Sequence, residues 1–531
     1  MAFVAAMNMP ETRAVGVNGA DVYTADGVGD IRVALYTSLV RGLSRTDIKV
    51  FVDKAVAYEQ DLWLLAFQCR DVRGGKGERT TALQLFAELC GRWPHRIEPM
   101  LRLWAEYGCW RDLFVLAAEE ASLRPWILKI VSEQFWADWT AHKAGKSFSL
   151  LAKWLPREGA ALDQGLVSDL THVMYPGRRN PKSRFPIYRR QVSRLASALK
   201  VVEQNMCGGT WAEVKPGSVP GRCLNLNRKA FLNQKLKGTG ERKANEDRRT
   251  CATNFKEHLE AVLAGKATVK GGDTVYPHTI CRQAMELRRK HDVDGEEMQL
   301  LEAQWSAIRD KVKAAGAMGR VLPMCDFSGS MSGIPMDVSM GLGILLSELN
   351  NEAFKNCMLS FDSTPHWITF NPDMRLYEKC EETVSHGQGL STNFEAAMQL
   401  VLDRLVEHSV PACEAPEDIV VFTDMGFDAA CRGQTGQWST LVTNMKARFK
   451  AANYVMPRLV IWNLRASFKE YHAKADETGV LMLSGWSPSS MKVIMEGIKV
   501  QTPYEGMRAI LDDKRYDPVR EQLKGQCTIR E

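Results

Sequence analysis

The 531-residue chain has no stretch approaching the roughly 18 consecutive apolar residues that a membrane helix needs. Nor does Met1 to Asp30 show a basic segment followed by a long apolar run, so neither a membrane span nor a secretory leader is expected. Its thirteen cysteines are scattered singly and form no C-x-x-C pair. That argues against a disulfide framework or a zinc knuckle and for reduced, mostly buried thiols. A cytoplasmic or nuclear protein follows. H-E-x-x-H is missing, and the one H-x-E, His258-Leu259-Glu260, lacks the later P-C-x-x-C of a deaminase zinc site. His258, His278 and His291 therefore read as structural or surface groups. G-x-S-x-G is absent from the strand-to-helix turns, and Cys325 reads as a buried strand residue rather than a nucleophile. Without a catalytic constellation, an enzyme is not expected.

What is present is a globular composition, 45% hydrophobic and 25% charged, in a chain long enough for two to four domains at roughly 100–200 residues each. The net charge of +6 conceals a division. Up to Arg320 there are 49 Lys and Arg against 36 Asp and Glu, and beyond it 20 against 27, so the halves carry +13 and −7. A basic half joined to an acidic one suggests a polyanionic partner for the first, or a merely solvated basic surface.

From about Ile31 to Asp310 apolar residues recur at helical spacing, as in Trp63, Leu64, Phe67 and Leu83, Phe86, Leu89. This predicts a stack of antiparallel helices over 31–315, broken at Arg73-Gly74-Gly75-Lys76-Gly77, at Tyr107-Gly108-Cys109 and across Pro176 to Pro186. After Arg320 short apolar runs alternate with amphipathic helices. Strands are expected at Val321–Cys325, Cys357–Phe361, Ile419–Phe422, Leu459–Trp462 and Val480–Leu483, with helices at Val338–Leu349, Asn393–His408, about Leu441–Ala451 and from Ser489. Such alternation implies a doubly wound, Rossmann-like parallel sheet over 320–502, with its ligand site at the carboxyl ends of the strands. Residues 1–30 and 503–531 are left as tails, the latter either packed on the helical half or free.

The first of those strands ends in Asp326-Phe327-Ser328-Gly329-Ser330, which sets a carboxylate and two hydroxyls at alternate positions. Ser391-Thr392 precedes a helix, and Thr423-Asp424 follows the strand ending at Phe422. Hydroxyls bound directly and carboxylates bound through water suit Mg²⁺ or another divalent cation. Asp-x-Ser-x-Ser, a later Thr and a later Thr-Asp resemble the metal-ion-dependent adhesion site of von Willebrand factor A domains. The resemblance implies Asp326, Ser328, Ser330, Thr392 and Asp424 as metal ligands, with an open position that accepts an acidic side chain from a protein partner.

In the helical half, Cys69 to Arg79 (CRDVRGGKGER) can cradle a phosphate through Arg73, Lys76 and Arg79, or be a helix–helix turn whose acids and arginines pair locally. It is not a P-loop. Gly177 to Arg194 (GRRNPKSRFPIYRRQVSR) carries seven Lys or Arg and no acid, with Phe185 and Tyr188 interleaved, and reads as a loop. Cations for phosphates and rings for unpaired bases are what a single-strand binder needs, which nominates Arg178, Arg179, Lys182, Arg184, Tyr188, Arg189, Arg190 and Arg194. A second cluster, Arg228 to Arg249, has eight cations against three acids. Lys153, Arg157, Arg282, Arg288, Arg289 and Lys290 read as ordinary helix-face residues.

The turn at Arg70 to Arg79 resembles the R-D-x-R-x-G-K-G-E-R segment of the Ro autoantigen (TROVE-domain) proteins and, more closely, of their uncharacterised relatives in plants and large DNA viruses. The likeness continues in Tyr107-Gly108-Cys109-Trp110-Arg111-Asp112-Leu113, Ala152-Lys153-Trp154-Leu155-Pro156-Arg157-Glu158-Gly159, Tyr188-Arg189-Arg190, Val202-Glu203, Trp211, Val219-Pro220 and Pro277-His278. It implies a ring of HEAT-type helical repeats closed by the A-type domain, binding structured RNA and single-stranded RNA ends. The expectation is thus a monomeric RNA-binding ribonucleoprotein component, and the alternative is a metal-dependent protein-interaction scaffold without RNA.

Overall fold

The computed structural model describes residues 12–17, 19–161, 163–238, 240–361, 364–386, 393–427, 438–466, 470–495 and 500–524. The apolar stripes before Ala315 form helices because each buries its stripe against the next. One helix, Glu59–Arg70, is buried on every side from Asp61 onward, Leu62, Trp63, Leu64, Leu65 and Phe67 included, and it runs through the middle of the first helices. Trp63, Phe67, Phe86, Trp104 and Tyr107 interlock around it, mostly edge to face, at centroid separations of 4.4 to 6.3 Å. A second, separate core lies further along, around Leu224, Phe231, Phe255, Leu259 and Leu300.

Two short antiparallel strands, β1 (Arg13–Val15) and β2 (Asp21–Tyr23), precede the helices. The C-terminal sheet comprises β3 (Val321–Asp326), β4 (Cys357–Phe361), β5 (Trp367–Thr369), β6 (Asp418–Thr423), β7 (Arg458–Asn463) and β8 (Val480–Ser484). Their order is β5-β4-β3-β6-β7-β8, parallel throughout except for β5, which is antiparallel to β4. Strands β3, β6 and β8 are buried along their whole length, as the unbroken apolar runs require of a sheet covered on both faces. Two expectations need correction. The segment around Ser489 is a 3₁₀ stretch, Pro488–Ile494, and the basic segment is no loop but helix Pro181–Ala198. Asn180 caps that helix by accepting the Lys182 amide, Pro181 takes the first position where no amide is needed, and Pro186 is carried inside it.

The helical half leaves the sheet domain and returns to it. At its start, Asn463 Nδ2 donates to the Thr37 carbonyl at 3.1 Å and the Ser484 hydroxyl to the Tyr36 carbonyl at 2.8 Å. At its end, helix Pro277–Arg289 lies on helices Ile334–Leu349 and Leu376–His386, where Arg282 pairs with Asp337 of the first at 2.6 Å and Arg288 with Glu381 of the second at 3.0 Å. Start and end also touch directly, through the Tyr276 hydroxyl on the Lys76 carbonyl. The circuit is thus closed, and part of the opposite charge of the two halves is used between them. Residues 503–524 join in: helices Pro503–Leu511 and Asp517–Lys524 lie against the first helices, with Arg508 on Asp61 and Arg515 on Asp71. The helix contact at Gly341 is close enough that a Cβ there would stand 2.9 Å from the His278 backbone nitrogen. Gly341→Val is expected to destabilise the protein by about 1–3 kcal/mol through this backbone clash. Denaturant unfolding with an unchanged midpoint would show that the contact does not hold the two halves together.

Candidate metal centre and nucleic-acid interface

Strands β3 and β6 are paired neighbours, but the chain leaves β3 toward β4 on one side and reaches β6 on the other. Strand order therefore reverses between them, and in open parallel sheets ligands sit beyond the carboxyl ends at such a point. Asp326 ends β3, and Asp424 follows directly on β6. Asp326 is fully buried, its Oδ1 accepting the Ser328 amide at 2.9 Å and its Oδ2 the Thr423 hydroxyl at 2.8 Å. The hydroxyls of Ser328 and Ser330 lie 3.1 Å apart, and Arg465 holds the Ser330 carbonyl at 2.5 Å. Asp424 accepts the Gly426 amide on Oδ1 at 3.2 Å, while its buried Oδ2 has no hydrogen-bond partner.

Burial first, and then the charge of Asp424, push the Asp326 carboxyl up to about 7. Burial raises Asp424 as well, against the pull of the Gly426 amide, the Ser330 hydroxyl and Arg465. Two buried carboxylates at close quarters, one with an orphaned oxygen, beside two hydroxyls, form a donor set that a hard divalent cation would stabilise. Among the described residues no group of three or more His, Cys, Asp or Glu could cage a metal, so an ion here would rest on two carboxylates, hydroxyls and water. The structure brings together Asp326, Ser328, Ser330 and Asp424; Thr392 lies outside the described residues. Sequence reasoning missed Thr423 as the group that ties the two strand ends together and Arg465 as the clamp on the serine loop.

The nominated RNA-binding residues divide sharply. Lys76 is a correction: it is fully buried, its ammonium donating to the carbonyls of Tyr36 at 2.5 Å and Leu39 at 3.0 Å and to the Ser484 hydroxyl at 2.6 Å. Burial lowers its pKa to about 7, against the charges of Cys69 and Glu78. Around it the turn is structural. Arg70 and Arg79 both pair with buried Asp112, Arg41 pairs with buried Glu78, and Arg73 reaches Glu106. Buried Asp71 is gripped by Arg515 and Tyr516 from the far end of the chain. Gly77 has φ +70°, and a Cβ there would run into the Tyr276 hydroxyl. The acids and arginines do pair, but with neighbouring segments and, for Asp71, with Arg515 far along the chain, rather than within the turn. Trp486 belongs to the same junction, with Arg41 over its ring at 3.9 Å and His278 edge-on at 5.2 Å.

Arg184 and Tyr188 are likewise corrected. Both are buried, Arg184 against His172 and the Arg178 carbonyl, Tyr188 with its hydroxyl on the Pro156 carbonyl, because they fall on the inner face of helix Pro181–Ala198. Arg189 is exposed and paired with Glu158 at 3.4 Å. Arg178, Arg179, Lys182, Arg190 and Arg194 are exposed, with no acidic partner within salt-bridge distance among the described residues. Beside Arg194 stands a ring that sequence reasoning did not single out, Trp139, with the Arg194 guanidinium 5.7 Å and the Lys143 ammonium 5.5 Å from its centroid.

Comparison with known proteins gives two family matches by sequence: residues 320–528 match a domain of unknown function, DUF7788, and residues 129–318 match another, DUF2828. The first match takes in the two C-terminal helices as well as the sheet. A curated relative, the uncharacterized protein L728 of Acanthamoeba polyphaga mimivirus, is 27% identical over 502 residues, covering 90% of this chain and 84% of that one. Among solved structures, the Ro (RSR) protein of Deinococcus radiodurans aligns over 91% of this chain and 99% of its own at 11% identity and a TM-score of 0.34. That likeness is distant. Among the described residues no helix is long and apolar enough to cross a membrane.

Proposed function

We propose that this chain is an RNA-binding protein whose helical half contacts the phosphate backbone and whose sheet domain holds a divalent cation at the strand switch point. The observation that carries the RNA reading is the set of five exposed cations, Arg178, Arg179, Lys182, Arg190 and Arg194, on or just before one helix and without a carboxylate to neutralise them. Side chains that serve stability in this protein find acids, as Arg70, Arg282 and Arg515 do. Five that find none, three on one helix and two just before it, are arranged for an anion outside the chain. The motif order shared with TROVE proteins supports the same reading.

The metal reading rests on the orphaned Asp424 oxygen and the mutual repulsion of the two buried carboxylates. Asp326, Ser328, Ser330 and Asp424 would hold the ion, as in an A-type domain, and a bound Mg²⁺ would offer an open position to a carboxylate from a protein partner. No residue is assigned a catalytic role.

The RNA reading is tested by binding a labelled single-stranded RNA at several salt concentrations, with and without reversal of Arg178, Arg179, Lys182, Arg190 and Arg194 to Glu. For the wild-type protein log affinity is expected to fall with log salt by about 0.7 per phosphate contact. The reversed variant should lose at least about 100-fold in affinity and most of that slope. Undiminished binding would remove this face from the interface. A wild-type protein that binds no RNA, yet captures a partner in a Mg²⁺-dependent way lost on Asp326→Ala, would favour the scaffold, for which the acidic sheet domain speaks.

A further inference from the structure

Lys182, Pro186, Arg190 and Arg194 follow one another at four-residue intervals along helix Pro181–Ala198 and share its outer face. At 1.5 Å per residue each step is about 6 Å, so the row runs about 18 Å from Lys182 to Arg194. Arg178 and Arg179 prolong it before the helix begins. At its other end the row meets helix Arg124–Lys143, which carries Trp139 one turn before Lys143 and is tied to the first helix through Tyr175, whose ring meets Trp136 edge-on and whose hydroxyl donates to Gln191. Trp139 is only partly buried. Phe135 lies parallel to it at 6.5 Å, and Lys143 and Arg194, one from each helix, lie over its ring. Neither cation has an acidic partner among the described residues.

A partly exposed indole attended by two unneutralised cations has little purpose in a solvated surface. Its hydrophobic area would be better covered, and its cations better paired. Where a row of cations ends on an open ring, a strand held by its phosphates can lay one unpaired base on that ring while the flanking cations move to the neighbouring phosphates. We infer that Trp139 is a base-stacking platform for single-stranded RNA, placed at the Arg194 end of the cation row. This deepens the RNA reading and rests on it. Duplex RNA keeps its bases stacked inside and gains little from such a ring.

The test is fluorescence anisotropy of labelled oligouridylate and oligoadenylate and of a duplex of equal length, on the full chain, with Trp139→Ala, Trp139→Phe and the double reversal Arg190→Glu, Arg194→Glu. Thermal melts confirm that each variant is folded. Trp139→Ala is expected to weaken single-strand binding about 10-fold or more with the salt slope unchanged, since a ring neutralises no phosphate, while Trp139→Phe retains most of the affinity. Duplex affinity should change little. The double reversal should instead lower the slope for both ligands. Wild-type affinity in a folded Trp139→Ala variant, alongside weakened binding by the double reversal, would overturn the platform while leaving the RNA reading intact. Equal losses on single strand and duplex would overturn it too. Failure of the wild-type protein to bind any of the three ligands would instead sink the reading on which the platform rests.

Discussion

Adding Mg²⁺ in excess is expected to raise the melting temperature of the wild-type protein by several degrees and to leave that of Asp326→Asn unchanged. The reason lies in what the carboxylate does without an ion. Its pKa is pushed up to about 7 by burial and by Asp424. A raised carboxylate works against the fold: the unfavourable contribution is absent below about pH 4, grows as pH climbs through the window up to 7, and is fully present above it. An ion that binds only the folded state reverses this, adding about 2.7 kcal/mol at a concentration 100 times its dissociation constant. Asn keeps the shape and an oxygen for the Ser328 amide while removing the charge. The variant should therefore be at least as stable as ion-free wild type at neutral pH and indifferent to Mg²⁺. Calorimetric melts with and without Mg²⁺ decide the matter. Equal shifts in the two proteins would place the ion elsewhere, and no shift in wild type would deny the site altogether.

Lys76 offers the second large effect, and on stability rather than on RNA affinity. Lys76→Ala strips the Leu39 carbonyl and the Ser484 hydroxyl of the Lys76 donor, leaves the Tyr36 carbonyl with Ser484 alone, and opens a void at the junction of helices and sheet. Together these should cost about 3–5 kcal/mol in denaturant unfolding. Affinity for single-stranded RNA in the folded variant should not change. A phosphate ligand would behave in the opposite way, with stability kept and affinity lost. Lys76 also leaves a signature in pH. Its folded pKa of about 7 lies below its ordinary value of 10.5, so between these limits the unfolded chain holds a proton that the folded chain does not. Stability gains about 1.4 kcal/mol per pH unit from this group as pH rises from 7 toward 10, the penalty being complete below 7. Buried cysteines and tyrosines titrate in the same range, so the measurement is the difference between wild type and Lys76→Met. Parallel curves would show that the ammonium is not desolvated as the structure has it.

The sheet was readable because buried parallel strands are continuous apolar runs: Cys357–Phe361 is predicted to the residue, and β3, β6, β7 and β8 to within one residue at either end. Strand β5 escaped notice because three residues at an antiparallel edge carry no periodicity, and β1 and β2 are equally short. Helix Pro181–Ala198 was misread because Asn180-Pro181 and Pro186 look like loop chemistry, although Asn before Pro is also how a helix begins. The meeting of Asp326, Ser328, Ser330 and Asp424 was legible because chain order and strand ends fix where such residues come together. The fate of the cations was not. Whether Lys76 or Arg184 faces water depends on partners such as Ser484, 408 residues from Lys76, that no local pattern encodes.

The salt bridge of Asp71 with Arg515 joins residues 444 apart. During synthesis at about 5–20 residues per second, Asp71 would wait roughly 20–90 s for its counter-ion. Until then a carboxylate destined for complete burial has no charge to meet it, and the faces that receive helices Pro503–Leu511 and Asp517–Lys524 stay open. The first helices can form early from local contacts, but their final docking must await residues 503–524. A closed circuit of this kind makes the arrival of residues 503–524 the step that commits the first helices, more than 400 residues earlier, to their final packing.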